Sequence, residues 1–420
     1  MINKLKNHLY PLLCWSEKYL KTDVVYLSKG SFWLVLGQGI AMISGFLISI
    51  AFANLFPKES FGTYKFILSI AGIMGIFSLT GLSTSVIQSV ARGFGSSLRR
   101  GFRTNLKWSL GILLGGVALS VYYYLHHNLI LSVSFLLMGI LLPVSTSARL
   151  YGAYLAGKKD FKRSSFYGMI HNTIPAIALI TTLFLTKNLL VIIIVYFSIN
   201  ALVPLFLYYV TTHSRQNKNE KEDPELTSYS KHLTAMDIIG NLANNLDKIL
   251  IFHYLGAVPL AIYAFAIAPV EQLQGGKKIL SSLILPKLSE QSFEELQKST
   301  PRKALLLTIY ALGLAGVYML LVPYFYKFFY PQYLDSILYS QIYSLTLLAI
   351  SGTVFNETLQ AHKKTRELYL QRFIAPAVQI VLFFILLPRF GLMGLIVTHV
   401  IMRSFNSLLI YYFVKHPLGN

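Results

Sequence analysis

Residues Leu233–Leu255 read LTAMDIIGNLANNLDKILIFHYL, a segment long enough to cross a membrane but unusually rich in polar side chains. If the segment is helical, polar residues at spacings of four, three and four share one face: Asp237, Asn241, Asn244 and Lys248. An ionisable side chain at bilayer depth costs roughly 2.5–3.5 kcal/mol on insertion scales, so it faces a bundle interior or a watery cavity. The stretch therefore predicts a transmembrane helix that forms one wall of a polar cavity.

The rest of the chain has the composition of a membrane protein. Of its 420 residues, 54% are hydrophobic and only 13% are charged, whereas about a quarter of the residues in soluble domains are charged. Apolar runs of roughly 18 residues or more, enough to cross a hydrocarbon core about 30 Å thick, recur along the whole chain. We predict twelve spans, at residues 31–56, 64–90, 105–125, 128–156, 166–186, 189–212, 233–255, 258–286, 303–323, 336–361, 367–388 and 391–414.

The net charge of +20 is explained by membrane topology. Lys and Arg are concentrated in the amino terminus and in alternate loops, two of which contain Arg92, Arg99, Arg100, Arg103 and Lys107, and Lys158, Lys159, Lys162 and Arg163. The opposite loops contain few: Lys58, Lys65, Lys187, Lys327 and Arg389. The positive-inside rule therefore places both termini in the cytoplasm. Because the basic residues do not form one patch on a folded domain, they do not indicate nucleic-acid binding.

A weak internal repeat divides the chain into two halves. Matched residues recur at a separation of 199: Gln38 and Asp237, Tyr64 and Tyr263, Phe66 and Phe265. Because each half has an even number of spans, the halves are predicted to be parallel repeats around a central cavity. We predict an all-α membrane protein with an amphipathic lead-in (1–30), a six-helix lobe (31–212), a cytoplasmic linker (213–232), a second six-helix lobe (233–414) and a tail (415–420).

Charged residues inside the predicted spans indicate a cationic cavity for an anionic ligand. Arg403 is about 18 Å into the last span, whereas Arg149 and Lys278 are nearer the cytoplasmic side. Arg and Lys bind phosphate and pyrophosphate through charge-assisted hydrogen bonds. The predicted substrate-binding residues are Lys248, Arg403, Arg149, Lys278, Asn241, Asn244 and Gln38.

A purely structural role is the alternative for several of these residues. Arg403 could pair with Glu271 or Asp237, because buried charges are usually paired. Arg149 and Lys278 could extend to the cytoplasmic interface. Glu357, near the inner end of the tenth predicted span, is expected at that interface.

The sequence predicts a transporter rather than an enzyme. It contains no nucleophile with an adjacent base, no Gly-rich phosphate loop and no metal-ligand spacing, so we predict no cofactor and no metal site. Transport would then run on a substrate gradient or on ion coupling. The candidate carriers of a coupling proton or sodium ion are Asp237, Asp247 and Glu271.

Two stretches resemble a known family: SLTGLSTSVIQSVARG (Ser78–Gly93) and LDKILIFHYLGAVPLAIYAFA (Leu246–Ala266). They are similar to the polysaccharide transport family of lipid-linked oligosaccharide flippases, in the multidrug, oligosaccharidyl-lipid and polysaccharide exporter superfamily. The resemblance implies two six-helix lobes in a V around a central cavity. It also implies a polyprenyl-pyrophosphate oligosaccharide substrate, carried by alternating access to the outer leaflet of a prokaryotic inner membrane.

The implied role is the biosynthesis of O-antigen, capsule or exopolysaccharide, with membrane lipid, a polysaccharide polymerase and glycosyltransferases as further partners. Two other functions stay open. A multidrug extruder of the same superfamily has the same span count, although an acidic cavity is expected for organic cations. A membrane glycan polymerase or ligase usually has a long outer loop, and the predicted outer loops do not exceed about fifteen residues.

Overall fold

A computed structural model describes residues 24–213, 222–275, 281, 284 and 288–418. The predicted lead-in up to residue 23, part of the predicted linker and Lys278 lie outside the described residues. The described secondary structure is helical, and no strand occurs in these ranges. The first half contains α1 (Val24–Leu55), α2 (Lys58–Met74), α3 (Leu82–Ala91), α4 (Ser97–Trp108), α5 (Leu110–Leu125), α6 (Leu129–Ala148), α7 (Leu150–Gly157), α8 (Phe161–Leu185) and α9 (Leu189–His213).

The second half consists of six further helices in the described residues. They are α10 (Leu226–Leu255), α11 (Ala257–Gln274), α12 (Phe293–Phe329), α13 (Ile337–Ser344), α14 (Gly352–Ala361) and α15 (Thr365–Lys415). Short 3₁₀ segments precede and follow α13, at Pro331–Ser336 and Leu345–Ser351. The fold class predicted from the sequence is confirmed.

The number of membrane crossings is consistent with the predicted twelve. Ten helical segments in the described residues are long and apolar enough to cross a membrane. One of them, α15, has 51 residues and would be about 76 Å long if straight, more than twice the hydrocarbon thickness. Its chain bends at Gly391, where φ is +57°, so it contains two crossings. The polar helix α10 is not among the ten, and adding it gives twelve.

The helix α10 begins earlier than the predicted span because its first turn packs on the first half. Leu226 is 1% exposed and belongs to an apolar cluster with Leu82, Val86 and Leu150. Just before the helix, Asp223 pairs with Arg92 at 3.2 Å. Seven residues assigned to the linker, 226–232, are therefore part of α10 in the structure.

The helices form two lobes. In the first lobe α1 packs on α8, α5 on α6, and α9 on α6 and α8; in the second lobe α15 packs on α10 and α14. The lobes meet where α2 and α3 pack against α10 and α11. We call the side of the molecule that carries Arg92, Arg99, Arg100, Arg103 and Lys107 the basic side.

The lobes approach most closely at the end away from the basic side. Phe66 stacks on Phe252 with ring centroids 4.0 Å apart, and the centroids of Phe61 and Phe265 are 4.8 Å apart. A Cβ atom on Gly62 would lie 1.8 Å from the carbonyl oxygen of Ala257, so only glycine permits this approach of the two backbones. This end of the molecule is closed by aromatic packing between the lobes.

Candidate functional site

A cavity of about 920 Å³ lies within the second lobe. Its walls are the middle of α10, α14 and both halves of α15, with Thr80 contributed by the first lobe. It extends from the middle of α10 toward the basic side. We call it the large cavity, and its described lining is Thr80, Met236, Asp237, Gly240, Asn241, Asn244, Ser281, Ala349, Gly352, Thr353, Asn356, Glu357, Gln360, Gln371, Arg372, Ala375, Pro376, Gln379, His399, Met402, Arg403, Asn406, Ser407 and Ile410.

Carboxamides are the commonest polar side chains in the wall of the large cavity. Seven of them line it, contributed by three helices: Asn241, Asn244, Asn356, Gln360, Gln371, Gln379 and Asn406. One direct contact joins two of them, from Gln371 Nε2 to Asn406 Oδ1 at 3.0 Å. His399 carries the one aromatic ring in the described lining. Because each carboxamide can donate and accept hydrogen bonds, the wall suits a ligand that does the same.

We call Asp237, Asn241, Asn244 and Lys248, which share one face of α10, the polar stripe. Three of its four residues line the large cavity. Asp237, Asn241 and Asn244 line the cavity, as the helical spacing predicted. Lys248, one turn further on, is not in this lining. Its ammonium donates to the carbonyl oxygen of Asn244 at 2.7 Å and lies 3.2 Å from Asp247 Oδ1. The last member of the stripe is therefore turned toward a carboxylate of its own helix.

The guanidinium of Arg403 is held by a cluster of polar groups. It donates to Glu271 Oε1, to Gln274 Oε1 and, at 2.9 Å, to the hydroxyl of Tyr343. The Tyr343 hydroxyl also donates to Glu271. Of the two partners considered from the sequence, Glu271 is the one that pairs with Arg403.

Asp237 has a different partner. One of its carboxylate oxygens lies 3.3 Å from Arg372 Nη1, and both side chains are about half exposed to the cavity. The pairing of Asp237 with Arg403, one of the two alternatives, is therefore not present in the structure. Arg372, in the first half of α15, lines the large cavity beside Asp237, whereas Arg403, in the second half of α15, is bound to Glu271.

Asp247 forms a buried polar cluster in the second lobe. It is 1% exposed, and its Oδ2 accepts a hydrogen bond from the Tyr263 hydroxyl at 2.6 Å. That hydroxyl is 2.8 Å from His399 Nε2, which is 3.3 Å from Asp247 Oδ2. The ring of His399 also lies beside Tyr343, with centroids 5.7 Å apart. The cluster therefore connects α10, α11 and α15 and adjoins the Arg403 cluster.

Arg149 lies in a separate, smaller cavity of the first lobe. This cavity has a volume of about 210 Å³ and is lined by Leu68, Ala71, Gly72, Leu141, Leu142, Ser145, Thr146, Arg149, Tyr196, Phe197 and Asn200. The guanidinium donates to Asn200 Oδ1 at 3.4 Å. Among the residues that the structure describes, no carboxylate pairs with Arg149. We call this the Arg149 pocket.

Other predicted residues lie apart from both cavities. Gln38, in α1, is half-buried and lines neither the large cavity nor the Arg149 pocket. Lys278 lies outside the described residues. The predicted cationic residues are thus not gathered in one place, because Arg403, Lys248 and Arg149 lie in three different environments.

Sequence reasoning missed several residues of the large cavity. Arg372 lies inside the eleventh predicted span, and the spacing of four between Asn356 and Gln360 places both on one face of the tenth. Glu357, which we expected at the membrane interface, is 3% exposed and lines the cavity. The excess of amide and charged side chains at the inner ends of these two spans was the sequence feature that could have identified these residues as cavity-lining.

Comparison with known proteins supports the assignment of the fold. A family profile described as polysaccharide biosynthesis protein matches residues 27–292. The structure of "Lipid II flippase MurJ, inward closed conformation" is similar with a TM-score of 0.67 and 14% identity, over 91% of this chain and 87% of that chain. A MATE protein in complex with MaD5 has a TM-score of 0.61 and 12% identity, over 94% of this chain and 96% of that chain.

A third similar structure is that of the MATE multidrug transporter DinF-BH, with a TM-score of 0.61 and 14% identity, over 93% of this chain and 95% of that chain. No curated protein sequence matches the chain. At these identities the structural likeness establishes the fold, which MurJ and the MATE transporters share with this chain. Because the family profile covers more than half of the sequence, the chain belongs to the polysaccharide biosynthesis protein family.

Proposed function

We propose that this protein is a flippase for polyprenyl-pyrophosphate-linked oligosaccharides in the synthesis of a surface polysaccharide such as O-antigen, capsule or exopolysaccharide. It takes its substrate from the cytoplasmic leaflet of a prokaryotic inner membrane and delivers it to the outer leaflet by alternating access. The observation that carries the proposal is the carboxamide-rich wall of the large cavity. The positive-inside rule makes the basic side cytoplasmic, so the cavity lies toward the leaflet from which the substrate is loaded.

The wall suits a sugar better than an organic cation. Sugar hydroxyls donate and accept hydrogen bonds, and so do the seven carboxamides of the large cavity. A site for an organic cation favours aromatic faces and unpaired carboxylates. In the described lining the one aromatic side chain is His399, Asp237 is paired with Arg372, and the other carboxylate, Glu357, is only 3% exposed.

The pyrophosphate of the substrate is assigned to the Arg149 pocket. Phosphate groups are bound well by Arg, whose planar guanidinium presents several donors. Arg403 and Lys248 are already bound to carboxylates, whereas the described neighbours of Arg149 include no carboxylate. Arg403 is a further proposed contact because it lines the large cavity, and Lys278 is proposed from its sequence position alone.

The pyrophosphate and the sugar of the substrate would therefore bind in two different cavities. Gly72 lines the Arg149 pocket and lies so close to α10 that a Cβ atom there would be 2.5 Å from Asn245 Oδ1. The adjacent residue, Asn244, lines the large cavity. The two cavities thus lie on either side of the contact between α2 and α10. A pyrophosphate in one lobe and a sugar in the other would span this contact, while the lipid tail stays in the bilayer.

A multidrug extruder is the second candidate function, because MATE transporters share the fold over more than nine-tenths of this chain. The two functions are separated by reconstituting the full chain in proteoliposomes with two probes. One is a fluorescent undecaprenyl pyrophosphate that carries N-acetylglucosamine, and the other is the cationic dye ethidium. We expect the lipid probe to change leaflet and the dye to stay outside. Dye uptake without movement of the lipid probe would overturn the proposal.

A further inference from the structure

The helix α4 carries a row of exposed basic side chains on the basic side of the first lobe. Arg99, Arg103 and Lys107 are spaced four residues apart, so they lie on one face of the helix, and all three are exposed. We call these three residues the basic row. Their neighbours Arg92 and Arg100 pair instead with acidic residues just before α10. The basic row is therefore a positively charged surface separate from these ion pairs.

The segments of the chain outside the described residues cannot neutralise this surface, because each of them is itself net basic. Residues 214–221, which follow α9 in the sequence, contain Arg215, Lys218 and Lys221 against a single acid, Glu220. Residues 1–23 contain four Lys and two acidic residues, and residues 276–287 contain three Lys and no acidic residue. The positive charge of the basic row therefore does not depend on how these segments are arranged.

The basic row adjoins the end of α9. Phe102 of α4 stacks on Tyr208 of α9, with ring centroids 4.4 Å apart, and both Arg99 and Arg103 interact electrostatically with Tyr208. Arginine and tyrosine side chains both donate hydrogen bonds to phosphate oxygens. The next residue, Tyr209, is 56% exposed, and exposed tyrosines are typical of the headgroup level of a membrane. Two helices thus bring phosphate-binding groups together at that level.

An exposed apolar surface continues from the basic row toward the other end of the molecule. The helices α4 and α5 belong to one membrane-length segment, Ser97–Leu125. Leu110 and Leu114, which extend the row at spacings of three and four, are 56% and 70% exposed. On α9, Leu202 and Phe206 are exposed as well. A row of cations at the end of an apolar, lipid-facing surface matches a phospholipid, which has a phosphate above its acyl chains.

We propose that the basic row, with Tyr208, is a binding site for an anionic phospholipid of the leaflet on the basic side. Arg99, Arg103 and Lys107 bind the phosphate, and the acyl chains lie along the exposed leucines of α5. None of these residues is in the described lining of the large cavity or the Arg149 pocket. The inference goes beyond the flippase proposal, because the lipid that binds here is not the cargo.

Binding of phospholipids to the purified full chain in detergent tests the proposal, with native mass spectrometry to count the lipids retained. Dioleoyl phosphatidylglycerol is the anionic probe and dioleoyl phosphatidylcholine the zwitterionic one. We expect phosphatidylglycerol to bind more tightly. Because each Lys or Arg near a membrane surface contributes roughly fivefold to the binding of anionic lipid, Arg99→Gln/Arg103→Gln/Lys107→Gln should weaken it on the order of 100-fold.

The matched control is Lys187→Gln/Lys327→Gln/Arg389→Gln, which removes three exposed cations away from the basic side and should bind phosphatidylglycerol normally. If the basic-row variant is not recovered folded, Arg103→Gln alone decides, with binding expected to be about fivefold weaker. Unchanged binding of phosphatidylglycerol in a folded basic-row variant would overturn the proposal. Equal binding of the two lipids by the unaltered protein would also overturn it and would leave a soluble acidic partner as the occupant.

Undecaprenyl pyrophosphate distinguishes a phospholipid site from a substrate site. The basic-row variant should bind undecaprenyl pyrophosphate as the unaltered protein does, because the pyrophosphate is assigned to the Arg149 pocket. If the basic-row variant loses undecaprenyl pyrophosphate but keeps phosphatidylglycerol, the row binds the substrate and the proposal is wrong. The assay involves no transport, so its result is independent of whether the protein proves to be a flippase.

Discussion

Both lobes are helical, but they differ in how many acidic residues they contain and in whether their basic residues form ion pairs. In residues 24–213 the acidic residues are Glu59 and Asp160, which lie at the ends of α2 and α8. The second lobe places Asp237, Asp247, Glu271 and Glu357 among its packed helices. Three of these pair with cations, so the second lobe is largely neutralised from within. The first lobe offers Arg149 without a carboxylate partner in the described residues.

Because of this difference, basic side chains are expected to have different roles in the two lobes. A cation that is bound to a carboxylate stabilises the fold and has little left to offer a ligand, and removing one partner leaves the other uncompensated. A cation without such a partner can bind a phosphate and can be removed without exposing an opposite charge. Mutations of charged residues should therefore affect stability in the second lobe and transport in the first lobe.

The largest expected effect is on stability, in the Asp247 cluster. Asp247→Asn leaves Lys248 without its counter-charge, and breaking a buried pair costs about 3–5 kcal/mol. We expect a clear fall in the thermal unfolding temperature of the purified protein. The double variant Asp247→Asn/Lys248→Met removes both charges and should recover most of the loss. If the double variant is no more stable than the single variant, the unpaired charge of Lys248 is not the cause of the lost stability.

Arg149→Ala should reduce transport without reducing stability. A hydrogen bond to a charged group contributes about 1.5–3 kcal/mol, so we expect flipping of the lipid probe to fall roughly tenfold or more. Abundance and unfolding temperature should stay unchanged, because no described carboxylate loses a partner. Lys187→Ala, on the exposed surface of the same lobe, is the control and should flip normally. A destabilised Arg149→Ala variant would remove the contrast between the lobes.

The contact between the lobes gives a third prediction. Gly62→Ala puts a methyl group against the Ala257 carbonyl, and overpacking of this kind costs about 1–3 kcal/mol. The closed arrangement of the end away from the basic side should become less populated, which spin-label distances between α2 and α11 would measure. In Gly313→Ala the added methyl group meets no atom within 4 Å, so the distances should match those of the unaltered protein. Unchanged distances in Gly62→Ala would contradict tight closure.

The smallest effects are expected on the carboxamide wall. A neutral hydrogen bond contributes about 0.5–1.5 kcal/mol, so Asn241→Ala and Asn356→Ala should each slow flipping of the sugar-bearing probe a few-fold, with similar unfolding temperatures. Gln88→Ala, an exposed amide outside the cavity with one weak contact at 3.5 Å, should have no effect. Normal flipping in the double variant Asn241→Ala/Asn356→Ala would show that the carboxamide wall does not contribute to substrate binding.

The sequence was most informative about features that depend on local pattern. Hydropathy predicted the spans, because crossing a bilayer requires long apolar helices, and spacing predicted that Asp237, Asn241 and Asn244 share one wall. The polar stripe also explains why α10 is absent from the segments that hydropathy alone identifies as spans.

Partner choice could not be predicted in the same way. Arg403 had two plausible carboxylates at similar depth, and the choice of Glu271 depends on how α11 and α15 pack. Glu357 was expected at the interface because it lies near the inner end of the tenth predicted span. The burial of this side chain by neighbouring segments is a tertiary property that a one-dimensional count does not contain.

The most direct test compares the binding of two lipids to the purified full chain: undecaprenyl pyrophosphate alone and the same lipid carrying N-acetylglucosamine. If the first lobe binds the pyrophosphate and the second lobe binds the sugar, Arg149→Ala should weaken the binding of both lipids by a similar factor. Asn241→Ala/Asn356→Ala should weaken only the binding of the sugar-bearing lipid. Equal weakening of both lipids by the carboxamide variant, or unchanged binding of both by Arg149→Ala, would contradict this division between the lobes.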